Sequence, residues 1–122
     1  ITSISVKQPI DDLLLSNVYR AGVVGLAKTL SKQVAADGIT INNVAPSYTR
    51  TERITEIFES RAAEQGRPVE EVMAEAAGGY PMRRMAEPEE LAALVAFLAS
   101  ERASYISGTT IQVDGAFYRG IL

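Results

Sequence analysis

The sequence contains no cysteine and no histidine. Without cysteine the chain has neither a disulfide framework nor a thiolate nucleophile, and without histidine it has neither a Ser-His-Asp triad nor an imidazole base. The same two absences remove the usual ligands of structural zinc, so we expect no metal site. Much common enzyme chemistry is therefore excluded before any motif is considered.

The chain also has no excess of basic residues. Twelve Lys and Arg residues stand against fifteen Asp and Glu residues, which gives a formal net charge of −3. The basic pair Arg83-Arg84 is not extended into a longer basic run, so we expect no nucleic-acid partner. Apolar runs are far shorter than the roughly 18 residues of a membrane span, and the first residues lack the basic segment of a signal peptide. We therefore expect no membrane partner and a cytoplasmic location.

What is present is the composition of one globular domain. The chain has 122 residues and 13.1 kDa, of which 47% are apolar and 22% charged. A globule of this size buries roughly two thirds of its unfolded surface. The chain opens with Ile1 in place of Met, directly in a strand-like run, so we expect it to be an internal part of a longer protein.

The first half of the sequence predicts a strand, a helix and a strand. Residues 1–6 alternate as a strand does, and residues 13–36 carry apolar and small residues at helical spacing, ended by Asp37-Gly38. Residues 39–45 read as a second strand, stopped by Pro46. This order predicts a right-handed unit with parallel strands. The helical stripe consists of Leu15, Val18, Gly22, Leu26, Leu30 and Val34.

The second half predicts mainly helix. Residues 51–77 are helical in period and rich in Glu and Arg, and residues 66–68 divide them into two pieces. A further helix begins at 87–88 and runs to about residue 100, and residues 109–113 alternate as a strand. The predicted core face of this last helix consists of Leu91, Leu94, Val95 and Leu98.

Several motifs in the correct order carry a resemblance to a known family. Residues 37–46 read Asp-Gly-Ile-Thr-Ile-Asn-Asn-Val-Ala-Pro, Thr51 follows, and residues 107–115 read Ser-Gly-Thr-Thr-Ile-Gln-Val-Asp-Gly. With Arg84 and the helix start at 88–90, the chain resembles the C-terminal half of a short-chain dehydrogenase/reductase. Within that family, 3-oxoacyl-acyl carrier protein reductases are most similar.

This resemblance implies an α/β fold over residues 1–122. The chain would be the C-terminal half of a Rossmann-like doubly wound parallel sheet, with three strands, a long helix, a helical lid and a final helix. The N-terminal half, which carries the glycine-rich turn that binds the cofactor pyrophosphate, is absent, and the sequence contains no Gly-x-Gly. Residues 1–122 would therefore be the C-terminal part of a single dehydrogenase domain.

Catalysis in this family uses a Tyr-x-x-x-Lys pair and a serine, and here the pair is missing. None of the five tyrosines is followed four residues later by lysine. Alignment on Gly25-Leu26 places Ser16 at the tyrosine position, Arg20 at the lysine position and Ser3 at the serine position. A serine hydroxyl is a far weaker acid than a phenol, whose pKa is about 10. Arg20 can bind ribose hydroxyls but cannot pass on a proton.

Tyr19 is the candidate for supplying the missing phenol. It follows Ser16 by three residues on the same helix, so the two are neighbours on the helix surface. The alternative is that Tyr19 packs on a neighbouring element.

The resemblance also implies a cofactor-binding loop at residues 46–51. In the family this loop reads Pro-Gly-x-x-x-Thr, and Ser47 stands here in place of the glycine. The backbone at Thr49 and the hydroxyl of Thr51 would meet the carboxamide of NADP or NAD, while Arg20 would hold its ribose. Pro46 and Ser47 belong to the same candidate site. The alternative is a turn that binds no ligand.

Two classes of function stay open. The first is an NAD(P)-dependent oxidoreductase that transfers hydride to or from a carbonyl or alcohol, with a small-molecule carbonyl or acyl thioester as substrate. The second is a catalytically silent dinucleotide-binding or assembly member, or an inactive proteolytic fragment. In either case we expect a homo-oligomer formed through helix 13–36 and the helix-strand unit at 88–113.

Overall fold

The computed structural model describes residues 1–11 and 13–121. Four α-helices and two strands follow one another in the order α1 (Leu14–Val34), β1 (Asn43–Pro46), α2 (Glu52–Gln65), α3 (Val69–Gly78), α4 (Pro88–Leu98) and β2 (Thr110–Val113). Short 3₁₀ helices lie at Ile4–Val6, Ala35–Asp37 and Glu101–Ala103. The predicted α/β class is therefore confirmed. No helix in the described part of the chain is both long and apolar enough to cross a membrane.

The two strands form a parallel pair, as the sequence predicts. The register joins Asn43 to Thr110 and Pro46 to Val113. Pro46 closes β1 instead of stopping the strand before it, and the next residue, Ser47, donates its N–H to the Val113 carbonyl at 3.1 Å. Because both strands end at the same edge, the loops that follow them meet there.

The predicted strand at residues 1–6 is wrong, and with it the predicted count of three strands. Residues 4–6 form a 3₁₀ helix, whose first turn is capped by the Ser3 hydroxyl accepting from the Ser5 N–H at 3.2 Å. Such local side-chain hydrogen bonds compete with a strand ladder. What remains of the pairing is Thr2, whose N–H donates to the Val44 carbonyl of β1 at 2.7 Å.

The division of residues 51–77 into two helices is confirmed, and these helices hold the main apolar core. Gly66 ends α2 in the left-handed conformation, with φ 63°. Phe58, only 1% exposed, packs with Ala62, Val72 and Met85. This segment is therefore a helix pair with its own buried interior.

The predicted core face of α4 is wrong. None of its residues is buried, and Val95 is 38% exposed. Val95 and Leu98 instead line an open groove that they share with Ile1 and Val44. No element of the described chain fills this groove, so the apolar side of α4 packs only in part.

The long helix α1 also presents most of its apolar stripe to the surroundings. Leu15, Val18 and Leu26 are more than half exposed, whereas the buried positions are Ala27 and Ser31. On this buried side Gly108 approaches closely, since a Cβ built on it would lie 2.6 Å from the Ser31 hydroxyl oxygen. Glycine is thus required at 108 by both space and its φ of 73°.

The start of α4 is fixed by charged groups. Glu90 accepts two hydrogen bonds of 2.7 Å from the Arg84 guanidinium, and one of 2.9 Å from the N–H of Glu87. Pro88 occupies the first turn, as predicted. The hydrogen bonds from Arg84 and from the Glu87 backbone lower the pKa of Glu90 from 4.5 to about 2.

We predict that Glu90→Gln lowers the melting temperature at neutral pH and has no effect near pH 2. A carboxylate whose pKa is lowered on folding stabilises the fold above its unfolded value of 4.5, and this stabilisation is lost as pH falls towards about 2. Thermal unfolding between pH 7 and pH 2 measures the difference in melting temperature between the wild type and Glu90→Gln, with exposed Glu64→Gln as the control. A difference that is constant with pH would contradict the prediction.

A second prediction compares two glycines of equal φ. Gly38→Ala adds only the strain of a left-handed alanine, about 1–2 kcal/mol, because nothing lies within 4 Å of its Cβ. Gly108→Ala adds the contact with Ser31, and overpacking typically costs about 1–3 kcal/mol more. Urea unfolding should therefore rank Gly108→Ala as clearly the less stable. Equal midpoints would show that the approach of α1 to residue 108 is looser than described.

Candidate active site

A pocket of about 220 Å³ lies at the edge where the parallel strands end. This edge is where open parallel sheets bind their ligands. The lining residues come from the N-terminal segment, α1, the loop after β1 and two later turns. They are Ser3, Ile4, Ile10, Leu13, Ser16, Arg20, Pro46, Ser47, Tyr48, Tyr80 and Phe117.

Five of the predicted site residues meet in this pocket. Ser3, Ser16 and Arg20 line it together with Pro46 and Ser47. They are brought together from three separate stretches of chain. Ser3, Ser16 and Arg20 are therefore close in space, and their assignment to family catalytic positions stays a prediction.

The Arg20 guanidinium is held in place by two hydrogen bonds. Its Nε donates to the Ser16 hydroxyl at 2.9 Å, one helical turn earlier, and its Nη1 donates to the carbonyl of Thr2. Thr2 in turn donates to Val44 through both its N–H and its hydroxyl. A fixed positive charge therefore sits beside the pocket, oriented relative to β1.

Tyr19 is not part of this cluster. Although it lies on the same part of the α1 surface as Ser16, its side chain is 70% exposed and does not line the pocket. The structure therefore does not bring this phenol to the site, and it does not pack Tyr19 against a neighbour either.

In the loop after β1, the backbone N–H and carbonyl of Thr49 are candidates for binding a ligand. A parallel bridge joins Thr49 to Ala86, and its hydrogen bonds are made by the Tyr48 carbonyl and the Arg50 N–H. The N–H and carbonyl of Thr49 itself therefore point away from Ala86. The buried Thr49 hydroxyl has no hydrogen-bond partner among the described residues.

The remaining loop residues have ordinary local roles. Thr51 caps α2, its hydroxyl accepting from the Ile54 N–H at 3.4 Å. Ser47 does not need the backbone freedom of the glycine that it replaces, because within residues 1–11 and 13–121 the non-glycine positions with positive φ are Arg83 and Ala116.

Sequence reasoning missed the aromatic side of the pocket. Tyr80 is 8% exposed, and its ring centroid lies 6.2 Å from that of Tyr48 and 4.8 Å from that of Phe117. Phe117 is positioned by the turn at Asp114, whose carboxylate accepts from the N–H groups of Ala116 and Tyr118. Asp and Gly are residue types typical of turns, but nothing local in the sequence shows what the following ring contacts.

Burial raises the pKa of Tyr80, and hydrogen bonds from the Tyr48 backbone and the Ser47 side chain offset part of that rise. The phenol is therefore protonated at neutral pH and sits among residues that line the pocket. The chemistry assembled here comprises three serine hydroxyls, one guanidinium and two phenols, of which that of Tyr80 is buried. In the part of the chain that the structure describes, no three acidic side chains are grouped to hold a metal ion.

A second cavity, of about 330 Å³, adjoins the first through Ser47. Its lining includes the Arg84–Glu90 pair and Asp114, but none of the residues at family catalytic positions. Arg84 and Glu90 are already engaged with each other at 2.7 Å. The smaller pocket therefore carries the candidate chemistry.

Comparison with known proteins matches the sequence of the chain to a family. The family model described as enoyl-(acyl carrier protein) reductase matches residues 1–117. The 3-oxoacyl-[acyl-carrier-protein] reductase FabG of Haemophilus influenzae is 42% identical over 99 residues, 81% of this chain and 36% of that protein. The NADPH-dependent reductase BacG of Bacillus subtilis is 34% identical over 115 residues, 94% of this chain and 44% of that protein.

A solved structure shows the same fold. The L-sorbose reductase of Gluconobacter frateurii, in complex with NADPH and L-sorbose, superposes with a TM-score of 0.94 at 30% identity. The match covers 98% of this chain and 46% of that one. The chain thus spans less than half the length of the relatives it matches, and it belongs to the short-chain dehydrogenase/reductase family.

Proposed function

We propose that this chain forms the substrate side of a nicotinamide-dinucleotide-dependent oxidoreductase. The observation that carries the proposal is the meeting of Ser3, Ser16 and Arg20 in one pocket with Pro46 and Ser47, the first residues of the loop at 46–51. The relatives support it, since one is named an NADPH-dependent reductase and another is complexed with NADPH and L-sorbose. The reaction would be hydride transfer between the dinucleotide and a carbonyl or alcohol.

The residues present fit such a cofactor. The N–H and carbonyl of Thr49, turned away from Ala86, suit the donor and acceptor of a carboxamide. The Arg20 guanidinium suits ribose hydroxyls, because it carries several donors in a fixed plane. When bound, NADP or NAD would supply or accept the hydride, and Pro46, Ser47 and Thr51 would border it.

The roles of the three family positions follow from their chemistry. Ser3 and Ser16 offer hydrogen bonds to a substrate oxygen, and Arg20 holds both Ser16 and the ribose. Arg20 does not pass a proton, since a guanidinium is not deprotonated in proteins. The substrate class we propose is a small-molecule carbonyl or acyl thioester, as the name of the Haemophilus relative suggests.

We further propose that residues 1–122 are the C-terminal part of a single dehydrogenase domain. The matched relatives are more than twice as long as the matched region, which covers 36% and 44% of their lengths. A preceding nucleotide-binding half would supply the pyrophosphate site that no Gly-x-Gly provides here. The cytoplasmic location stays a prediction.

We also propose that α1 pairs with a second copy of the protein. Large apolar side chains lie exposed along it, and Gly22 and Gly25 leave room for close approach, since a Cβ at either meets nothing within 4 Å. The unit at 88–113 exposes Val95 and Phe97 and would form a second contact.

The catalytically silent alternative rests on the absence of the Tyr-x-x-x-Lys pair. A silent member would bind the dinucleotide without turnover. Fluorescence binding combined with an absorbance assay on carbonyl substrates separates the two cases.

We predict that Arg20→Ala in the full-length protein raises the Kd for NADPH about tenfold. The loss of a charged hydrogen bond costs about 1.5–3 kcal/mol, part of which is regained by water. Arg20→Lys should retain most of the affinity, because lysine is the family residue at this position. Exposed Arg102→Ala is the control. Unchanged binding in Arg20→Ala would exclude Arg20 from the cofactor site.

The oligomer proposal predicts opposite effects of one substitution on two measurements. Gly22→Ala should stabilise the helical conformation of α1 by about 0.5–1 kcal/mol. It should weaken self-association, because the added methyl keeps a second helix away. Light scattering across micromolar concentrations measures the association. A wild-type protein that stays monomeric there would refute the proposal.

A further inference from the structure

The pocket lacks an obvious proton donor at the position where the family has tyrosine. A carbonyl oxygen becomes strongly basic as hydride reaches its carbon, so a positioned acid accelerates the step. Ser16 is a weak acid whose oxygen already accepts from Arg20 Nε at 2.9 Å, and Arg20 cannot release a proton. If the enzyme is active, another group must act.

Tyr80 lines the same pocket as these residues, and backbone hydrogen bonds hold its main chain. Its N–H donates to the Ala77 carbonyl at 3.1 Å, and its carbonyl accepts from the Arg83 N–H at 2.8 Å. These bonds fix the backbone on both sides of the ring. The ring itself is nine-tenths buried, in contact with Phe117 on one side and near Tyr48 on the other.

The surroundings of the phenol oxygen suit a group that loses and regains a proton. Burial favours the neutral phenol, which is therefore the form present before reaction. Burial and the nearby Tyr48 and Asp114 raise the pKa of the phenol, while hydrogen bonding from the Tyr48 backbone and the Ser47 side chain lowers it, and the net pKa is above its usual value. The tyrosinate formed by proton transfer would accept hydrogen bonds from the Tyr48 backbone and the Ser47 side chain.

The other phenols are less suitable. Tyr19 and Tyr105 are exposed and do not line the pocket. Tyr118 does not line it either. Tyr48 lines it, but its ring packs edge-on against Phe58 at 5.7 Å, within the core of α2 and α3. Tyr48 is therefore the single competitor.

We propose that Tyr80 is the proton donor of this pocket, in place of the missing tyrosine of α1. The inference rests on the proposed oxidoreductase function. In the step, the carbonyl carbon accepts a hydride from the reduced dinucleotide and the C=O π bond breaks. The carbonyl oxygen takes the proton from the Tyr80 O–H, which leaves an alcohol, the oxidised dinucleotide and a tyrosinate. Water reprotonates the tyrosinate.

The first test measures binding without cofactor. In the full-length protein, Tyr80→Phe keeps the ring contacts and removes only the hydroxyl. We expect its affinity for a short 3-oxoacyl thioester, measured by calorimetry, to fall about tenfold, the value of one hydrogen bond. Tyr105→Phe should bind as the wild type does. Equal affinity of Tyr80→Phe and wild type would overturn the proposal.

The second test measures turnover and its pH dependence. Tyr80→Phe should lower kcat for carbonyl reduction about a hundredfold, as expected for loss of a general acid. In the alcohol-oxidation direction Tyr80 must be tyrosinate, so the wild-type rate should rise with pH to above about 10. This alkaline rise should be absent in Tyr80→Phe, a loss that a purely structural role would not produce.

The outcomes distinguish the two levels of inference. A full-length wild type that neither binds NADPH nor reduces a carbonyl overturns the proposed function and the role of Tyr80 together. Wild-type turnover with an unimpaired Tyr80→Phe overturns Tyr80 alone. Loss of turnover and of the alkaline rise in Tyr48→Phe, with both retained in Tyr80→Phe, would assign the proton to Tyr48.

Discussion

The parallel pairing of β1 with β2 is the constraint on which the site depends. It sets Pro46 opposite Val113, residues 67 positions apart in the chain, and so brings two loops to one edge. The loop after β1 supplies Ser47 and Tyr48, and the turn after β2 supplies Phe117. Because parallel strands need a long crossover, the intervening residues had to be accommodated elsewhere, and they form the three later helices.

Two of these crossover helices, α2 and α3, support the pocket as well as covering one side of the fold. The family resemblance implied a helical lid, yet the two helices α2 and α3 enclose the largest fully buried side chain of the described residues, Phe58. Tyr48, which lines the pocket, packs on that same ring. A rearrangement of the helix pair would therefore have to move one wall of the pocket with it, so the pair is better described as part of the site's scaffold.

Local chemistry explains which features could be predicted. Gly38, Gly66 and Pro88 mark helix ends through backbone preferences that act within a few residues, and the structure places the ends there. The positions of Ser3, Ser16 and Arg20 followed from a family register. The 3₁₀ helix at residues 4–6 was missed because a serine cap outweighed the alternating pattern. Tyr80 was missed because its neighbours, Tyr48 and Phe117, are more than 30 residues away in sequence.

The junction at Thr2 has a consequence for sequence variation. Residue 2 links the Arg20 guanidinium to β1 with its own main chain, the carbonyl accepting from Arg20 and the N–H donating to Val44. Both groups survive replacement of the side chain by any small residue except proline, which lacks the N–H. The orientation of the Arg20 guanidinium therefore does not depend on the side chain at position 2. Related proteins can differ at this position and still hold the guanidinium in the same place.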